Sequence, residues 1–183
     1  MNITIFGTGY VGLVSLACFA ELGHNVTGID VSKQKIDNLK LNQLPIFEKG
    51  LKKLILSNRE KKRISYDTNS NKSLQYSSCA IVCVGTPSKT NGSTNLKFIL
   101  HVAEEIAINT IKKKNFKVIF RSTIPPKTIE KKIIPIFKKY KNKSQIIFHP
   151  EFLREGTAIN DFFSPSRVVF GFNKKPDINF IKK

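Results

Sequence analysis

The stretch that decides the fold is Ile3-Thr4-Ile5-Phe6-Gly7-Thr8-Gly9-Tyr10-Val11-Gly12, with Asp30 placed 18 residues after the last glycine. The apolar run Ile3, Ile5, Phe6 stops at Gly7, and an alanine- and leucine-rich stretch runs from Val11 to Leu22 before Gly23 closes it. Such a pattern is strand, tight turn, helix and glycine stop. Asn25 to Ile29 reads as a second strand, which puts Asp30 at its carboxyl end. The hexad fits G-x-G-x-x-G: the first glycine permits the turn, the second lets a pyrophosphate approach the backbone, and the third lets the helix pack closely on the strand. The helix N-terminus then offers free N–H groups and a partial positive charge to phosphates. A carboxylate at Asp30 would accept both ribose hydroxyls and repel a 2′-phosphate, which favours NAD over NADP. Gly7, Thr8, Gly9, Tyr10, Val11, Gly12 and Asp30 are therefore the expected cofactor contacts. Lys35, close by, is a cation that would also tolerate a phosphate.

Outward from this unit the alternation continues. Ser32 is positioned to cap a helix through Leu41 with Ile36 and Leu39 inward. Cys79 to Val84 is a continuous apolar run of the kind found in buried parallel strands, and Leu96, Ile99, Leu100, Ala103, Ile106 and Ala107 share one helical face. Lys117–Phe120, Gln145–Phe148 and Arg167–Phe170 are three more expected strands, with a helix from Thr128 to Lys139 between the first two. The expected fold class is α/β, a doubly wound, mostly parallel sheet of Rossmann type, with residues 1–183 as a single domain. Asp177 to Lys183 resembles the opening of a helix that the chain does not complete, and we expect a truncation there. Gly85-Thr86-Pro87 follows the buried run at the carboxyl end of a strand, where open α/β sheets bind ligands, although Gly-Thr-Pro is also ordinary turn chemistry.

The 183 residues suffice for a real core, and an apolar fraction of 40% with 14 Phe argues against disorder. No stretch approaches the roughly 20 apolar residues that span a bilayer, and the first strand begins at once without a charged leader, so a cytoplasmic protein with no membrane partner is expected. Cys18, Cys79 and Cys83 lie in apolar surroundings without metal-ligand spacing. An odd count argues against a disulfide framework, so we expect buried, inert thiols and no metal. The formal charge of +18, from 31 Lys and Arg against 13 Asp and Glu, raises the question of nucleic acid. The lysines are scattered, from Lys33 to Lys139, rather than interleaved with aromatics, and a nucleic-acid partner is not expected.

Later segments carry a resemblance. Leu22-Gly23-His24 leading to Asp30, Val84-Gly85-Thr86-Pro87, Arg121-Ser122-Thr123-Ile124-Pro125 and His149-Pro150-Glu151-Phe152-Leu153-Arg154-Glu155-Gly156 stand in one order along the chain. In these, and in Pro165, Arg167 and Gly171, the chain resembles the NAD-binding N-terminal domain of the UDP-glucose/GDP-mannose dehydrogenase family. The likeness is closest to the UDP-glucose branch, with GDP-mannose enzymes as the runner-up. The resemblance implies two successive NAD-dependent oxidations of a sugar C6 hydroxyl, UDP-glucose to UDP-glucuronate, through a thiohemiacetal and a thioester.

The resemblance also implies roles. Thr123 would stand beside the nicotinamide and Glu151 would be the general acid/base. Glu151, Phe152, Leu153, Arg154 and Glu155 would line the sugar-nucleotide site, Glu155 would also reach the cofactor, and the full-length form would be a homo-oligomer. Without the family, Glu151 would pass for a surface loop acid and Thr123 for a turn hydroxyl. Lys49, Arg121, Lys127 and His149 depart from the family's usual proline, lysine, glycine and asparagine. The family's cysteine nucleophile and catalytic lysine belong to a part of its chain beyond residue 183, and none of the three cysteines here can replace the nucleophile. The expectation is that this chain alone binds NAD without making UDP-glucuronate.

Overall fold

A computed structural model describes residues 1–174 and 178–181, excepting the side chain of Ile178. Within it, β1 (Asn2–Phe6), α1 (Tyr10–Glu21) and β2 (Asn25–Ile29) form the expected opening unit. Then come α2 (Lys33–Lys40), α3 (Leu51–Glu60), β3 (Ile64–Asp67), α4 (Asn71–Tyr76), β4 (Cys79–Val82) and α5 (Lys97–Asn109). The chain continues through β5 (Lys117–Phe120), a π-helical turn at Ile129–Ile133, α6 (Ile134–Lys139), β6 (Gln145–Phe148), α7 (Ala158–Phe163), β7 (Gly171–Phe172) and α8 (Ile178–Ile181). The strands lie in the order β3-β2-β1-β4-β5-β6-β7, all parallel except β7, which pairs antiparallel with β6. Strand order reverses between β1 and β4, which opens a crevice at their carboxyl ends.

Side-chain alternation sorts the core into two layers. Ile3, Ile5, Cys79, Ile81 and Cys83 meet Leu13, Leu16, Leu39, Leu51 and Ile55 on one face. Phe6, Ala80, Val82, Val118 and Phe120 meet Leu74, Ile99, Ala103, Ile106 and Phe137 on the other. All three thiols are free and buried, and burial pushes each up to about 12.

Three expectations change. Arg167–Phe170 is not a strand: Val168 and Val169 are exposed, and the short pairing falls one step later, Phe148 opposite Gly171 and Ile147 opposite Phe172. The expected Thr128–Lys139 helix begins as a π turn. Pro135 has no N–H for the carbonyl four residues back, and its ring crowds that carbonyl, so the wider turn accommodates it. The run expected to extend to Val84 leaves the sheet after Val82. Residues 42–78, left unassigned by periodicity, supply α3, β3 and α4. The expected helix over Asp177–Lys183 lies outside the described residues except for Ile178–Ile181. Among the described residues, no helix is long and apolar enough to cross a membrane.

Candidate cofactor cleft and its neighbour

The turn between β1 and α1 is held by contacts that a side chain would break. A Cβ on Gly12 would lie 1.9 Å from the Gly7 carbonyl oxygen, and one on Gly7, whose φ is +91°, would lie 2.8 Å from that of Cys83. Gly9 is different: a Cβ there would meet nothing within 4 Å, because that side of the backbone opens into the crevice. The arrangement fits a pyrophosphate, which needs open space over Gly9 and tight closure beneath it.

At the far end of the crevice sits Asp30, only 9% exposed. Its Oδ2 accepts from the Thr8 N–H at 2.9 Å, the Thr8 hydroxyl at 2.9 Å and Lys35 Nζ at 2.9 Å, while Oδ1 accepts from the Ser32 N–H at 3.1 Å. Burial alone would push the carboxyl up. The Lys35 ammonium and these donors outweigh it and hold Asp30 below the usual carboxylate range. Oδ1 thus keeps acceptor capacity for a ribose hydroxyl, while Oδ2 is saturated.

The crevice is a cleft of about 550 Å³. Of the residues expected at a cofactor, Gly7, Gly9, Tyr10, Val11, Asp30, Lys35, Gly85, Thr86, Pro87 and Thr123 line it, and Glu151 stands at its edge. Thr8 and Gly12 lie behind the lining, Thr8 fully buried on Asp30. Glu155 is exposed and outside the cleft lining. The loops that follow β4 and β5 are tied together: Thr86 donates to the Thr123 carbonyl at 2.6 Å and Ser122 to that of Val84 at 2.7 Å. Val31, Thr68, Phe98, His101 and Glu105 also line the cleft, and all but Val31 come from α5 or the loop after β3, a contribution that the sequence had not singled out.

Phe152, Leu153 and Arg154 line a second cleft of about 310 Å³ instead. Arg121 and Glu151 belong to both clefts and form the wall between them. The Arg121 side chain is buried, with Nε lacking a hydrogen-bond partner and its guanidinium carbon 5.8 Å from the centre of the Phe162 ring. Burial lowers its pKa. The loop carrying Glu151 is shaped by its own carboxylate, which accepts from the Leu153 N–H at 2.7 Å. Arg154 pairs with Asp161 at 2.6 Å.

Glu48 is the residue that sequence reasoning passed over. Although its side chain is buried, it accepts from the Tyr10 hydroxyl, from the Gly156 N–H at 2.8 Å and from the Ala158 N–H at 3.2 Å. It thereby ties the glycine-turn helix to the loop that carries Glu151. Its only signal in the sequence is an acid set among Phe47, Lys49 and Gly50 before a helical run.

A parallel sheet with a glycine turn, an open backbone cradle and an acid at the next strand end defines a dinucleotide-binding domain. More narrowly, the chain belongs to the UDP-glucose/GDP-mannose dehydrogenase family and is its NAD-binding domain, matched over residues 1–183. It is 36% identical to a UDP-glucose 6-dehydrogenase of Rickettsia bellii, over 100% of this chain and 42% of that protein. It is 40% identical to a GDP-mannose 6-dehydrogenase of Pseudomonas aeruginosa, over 93% of this chain and 41% of the other. The crystal structure of a ternary complex of GDP-mannose dehydrogenase from Pseudomonas aeruginosa superposes with a TM-score of 0.94 at 38% identity, covering 100% of this chain and 43% of that one. The chain thus spans about two fifths of the length of these relatives.

Proposed function

We propose that residues 1–183 form one domain that supplies the NAD site and part of the reacting centre of a nucleotide-sugar 6-dehydrogenase acting on UDP-glucose. The observation that carries the reading is the single cleft running from Asp30 to Thr123 and Glu151. Gly7, Gly9, Tyr10 and Val11 would cradle the pyrophosphate, Asp30 and Lys35 the adenosine ribose, and Gly85, Thr86, Pro87 and Thr123 the nicotinamide end. Bound there, NAD would supply the hydride acceptor for oxidation of the sugar C6 hydroxyl. Glu151 would exchange the accompanying proton, because its carboxylate is held by one backbone N–H and keeps a free oxygen at the edge of the cleft. Residues Glu151 to Glu155 would present the sugar nucleotide, with Glu155 swinging from its exposed position to reach the cofactor. A cytoplasmic homo-oligomer is the setting we assign to the full-length form.

GDP-mannose is the second reading, favoured by the 40% identity to a GDP-mannose enzyme against 36% to a UDP-glucose enzyme. Calorimetric titration of this chain with NAD tests the cofactor site directly. NADH formation by the full-length gene product from UDP-glucose and from GDP-mannose in parallel tests the substrate. Turnover of GDP-mannose alone would replace the first reading with the second.

A further inference from the structure

Lysines that look scattered along the sequence are gathered by the fold. In a parallel sheet joined by crossover helices, the loops entering the strands lie at the end opposite the loops that leave them. The loops entering β5 and β6 therefore sit side by side, at the other end of the sheet from the cofactor cleft. Asn142 Nδ2 donates to the Ala107 carbonyl at 2.8 Å and to Thr110 Oγ1 at 2.9 Å, and the Gln145 N–H donates to the Phe116 carbonyl at 2.8 Å, which joins the two loops. Lys112 and Lys114 on the first, and Lys138, Lys141 and Lys143 around the second, are exposed. Among the described residues none of these five is paired with an acid. Between residues 106 and 150 the one acid is Glu130, at the far end of the π turn and α6, against eleven Lys and one Arg. Glu104 of α5 is already taken by Lys139 at 3.1 Å and by the Tyr140 hydroxyl at 2.5 Å. Ile108 and Ile111, just before Lys112, are each 46% exposed.

We propose that this end of the sheet is a peripheral docking face for a lipid bilayer carrying anionic headgroups. A negative surface potential attracts unpaired ammonium groups, and exposed isoleucines beside them offer apolar area to the boundary between headgroups and acyl chains. A face of this kind rests on the membrane from outside, so it needs no spanning stretch. Nucleic acid fits these loops less well. The five cations are all lysine, without the arginine fork that grips phosphate bidentately. Phe116 is buried and the Tyr140 hydroxyl is bound to Glu104, so neither ring is free for a base to stack on. Docked through this end, the chain would keep the cofactor cleft turned towards water.

Sedimentation of the full-length gene product with lipid vesicles tests the face. Vesicles of phosphatidylcholine mixed equally with phosphatidylglycerol should carry the protein down at low ionic strength and release it as salt rises, whereas pure phosphatidylcholine should not. Each lysine near an anionic surface is worth about fivefold in partition, so Lys141→Glu with Lys143→Glu should lower binding at least about tenfold. Lys112→Glu with Lys114→Glu should do the same. Lys→Gln at the same positions, which removes charge without reversing it, carries the test if a charge-reversed chain fails to fold. Lys52→Glu with Lys53→Glu makes the same change in charge in the first turn of α3, which lies towards the other end of the sheet, and should alter binding by no more than about threefold. Failure to bind anionic vesicles, or an equal loss in the α3 pair, overturns the proposal. Binding to duplex DNA or RNA as strong as to vesicles at the same ionic strength assigns the face to nucleic acid and overturns it too. None of these outcomes bears on the dehydrogenase reading, which NADH formation tests separately.

Discussion

Lys35 Nζ lies 2.9 Å from Asp30 Oδ2, so the acid we propose for the adenosine ribose is paired with a cation. In that reading the pair would decide how sharply NAD is told from NADP. In the proposed site Asp30 would supply an acceptor and the negative charge that opposes a 2′-phosphate, while Lys35 would partly cancel that charge. A hydrogen bond to a charged group contributes about 1.5–3 kcal/mol, so Asp30→Ala should weaken NAD binding roughly tenfold to hundredfold. Lys35→Met should cost NADP more affinity than NAD. Titration calorimetry with both cofactors checks this, and a Lys35→Met chain that loses both equally would contradict it.

Asp30 also gives a pH dependence. Its folded pKa lies below the ordinary carboxylate value, so the stability it contributes is present above that value, about pH 4, and is lost as pH falls through the folded one. Asp30→Asn should therefore flatten part of the acid limb of a stability curve measured by denaturant melts. An acid limb of unchanged slope would mean that other carboxylates carry it.

The glycine turn separates folding from binding. Gly12→Ala places a Cβ 1.9 Å from a backbone oxygen and should destabilise the chain by more than about 3 kcal/mol, beyond ordinary overpacking. Gly9→Ala meets no atom within 4 Å, so the melting temperature should hold while NAD affinity falls at least tenfold. Equal affinity in Gly9→Ala would remove the pyrophosphate from this loop.

Glu48 should behave as a structural anchor for the Glu151 loop. Glu48→Ala strands the Tyr10 hydroxyl and the Gly156 and Ala158 N–H groups, and should cost about 3 kcal/mol. Faster amide exchange at Gly156 and Ala158 should accompany it. A loss below about 1 kcal/mol would show that water replaces the carboxylate freely.

Lys127, where the family usually has glycine, adopts φ +64°, a left-handed conformation that costs an L-residue about 1–2 kcal/mol. After the greater unfolded-state entropy of glycine is subtracted, Lys127→Gly should stabilise the chain by up to about 1 kcal/mol in urea melts. A destabilised variant would show that the lysine side chain contributes more than its backbone strain costs.

The sequence by itself determined the opening unit, because its signals are local. The spacing of three glycines, the stop at Gly23, the cap at Ser32 and the acid at Asp30 each depend on a few covalently neighbouring residues. The buried run at Cys79 and the helical face from Leu96 to Ala107 were legible for the same reason, since period and apolarity report burial directly. Residues 42–78 were not read, although Leu51, Leu54 and Ile55 sit at helical spacing and Ile64 and Tyr66 alternate. Val168 and Val169 misled because β-branching signals a strand only where a partner strand offers a ladder, and these two are exposed. Only tertiary structure could decide the rest. Glu48 meets Gly156 and Ala158 more than a hundred positions away. Arg121 and Glu151 become one wall between two clefts because β5 and β6 are neighbours in the sheet. The ring of His149 meets a carbonyl 20 residues further on, that of Val169. Turn chemistry is local and can be read along the chain, whereas charge pairing and shared walls depend on distances through space that only the packed sheet sets.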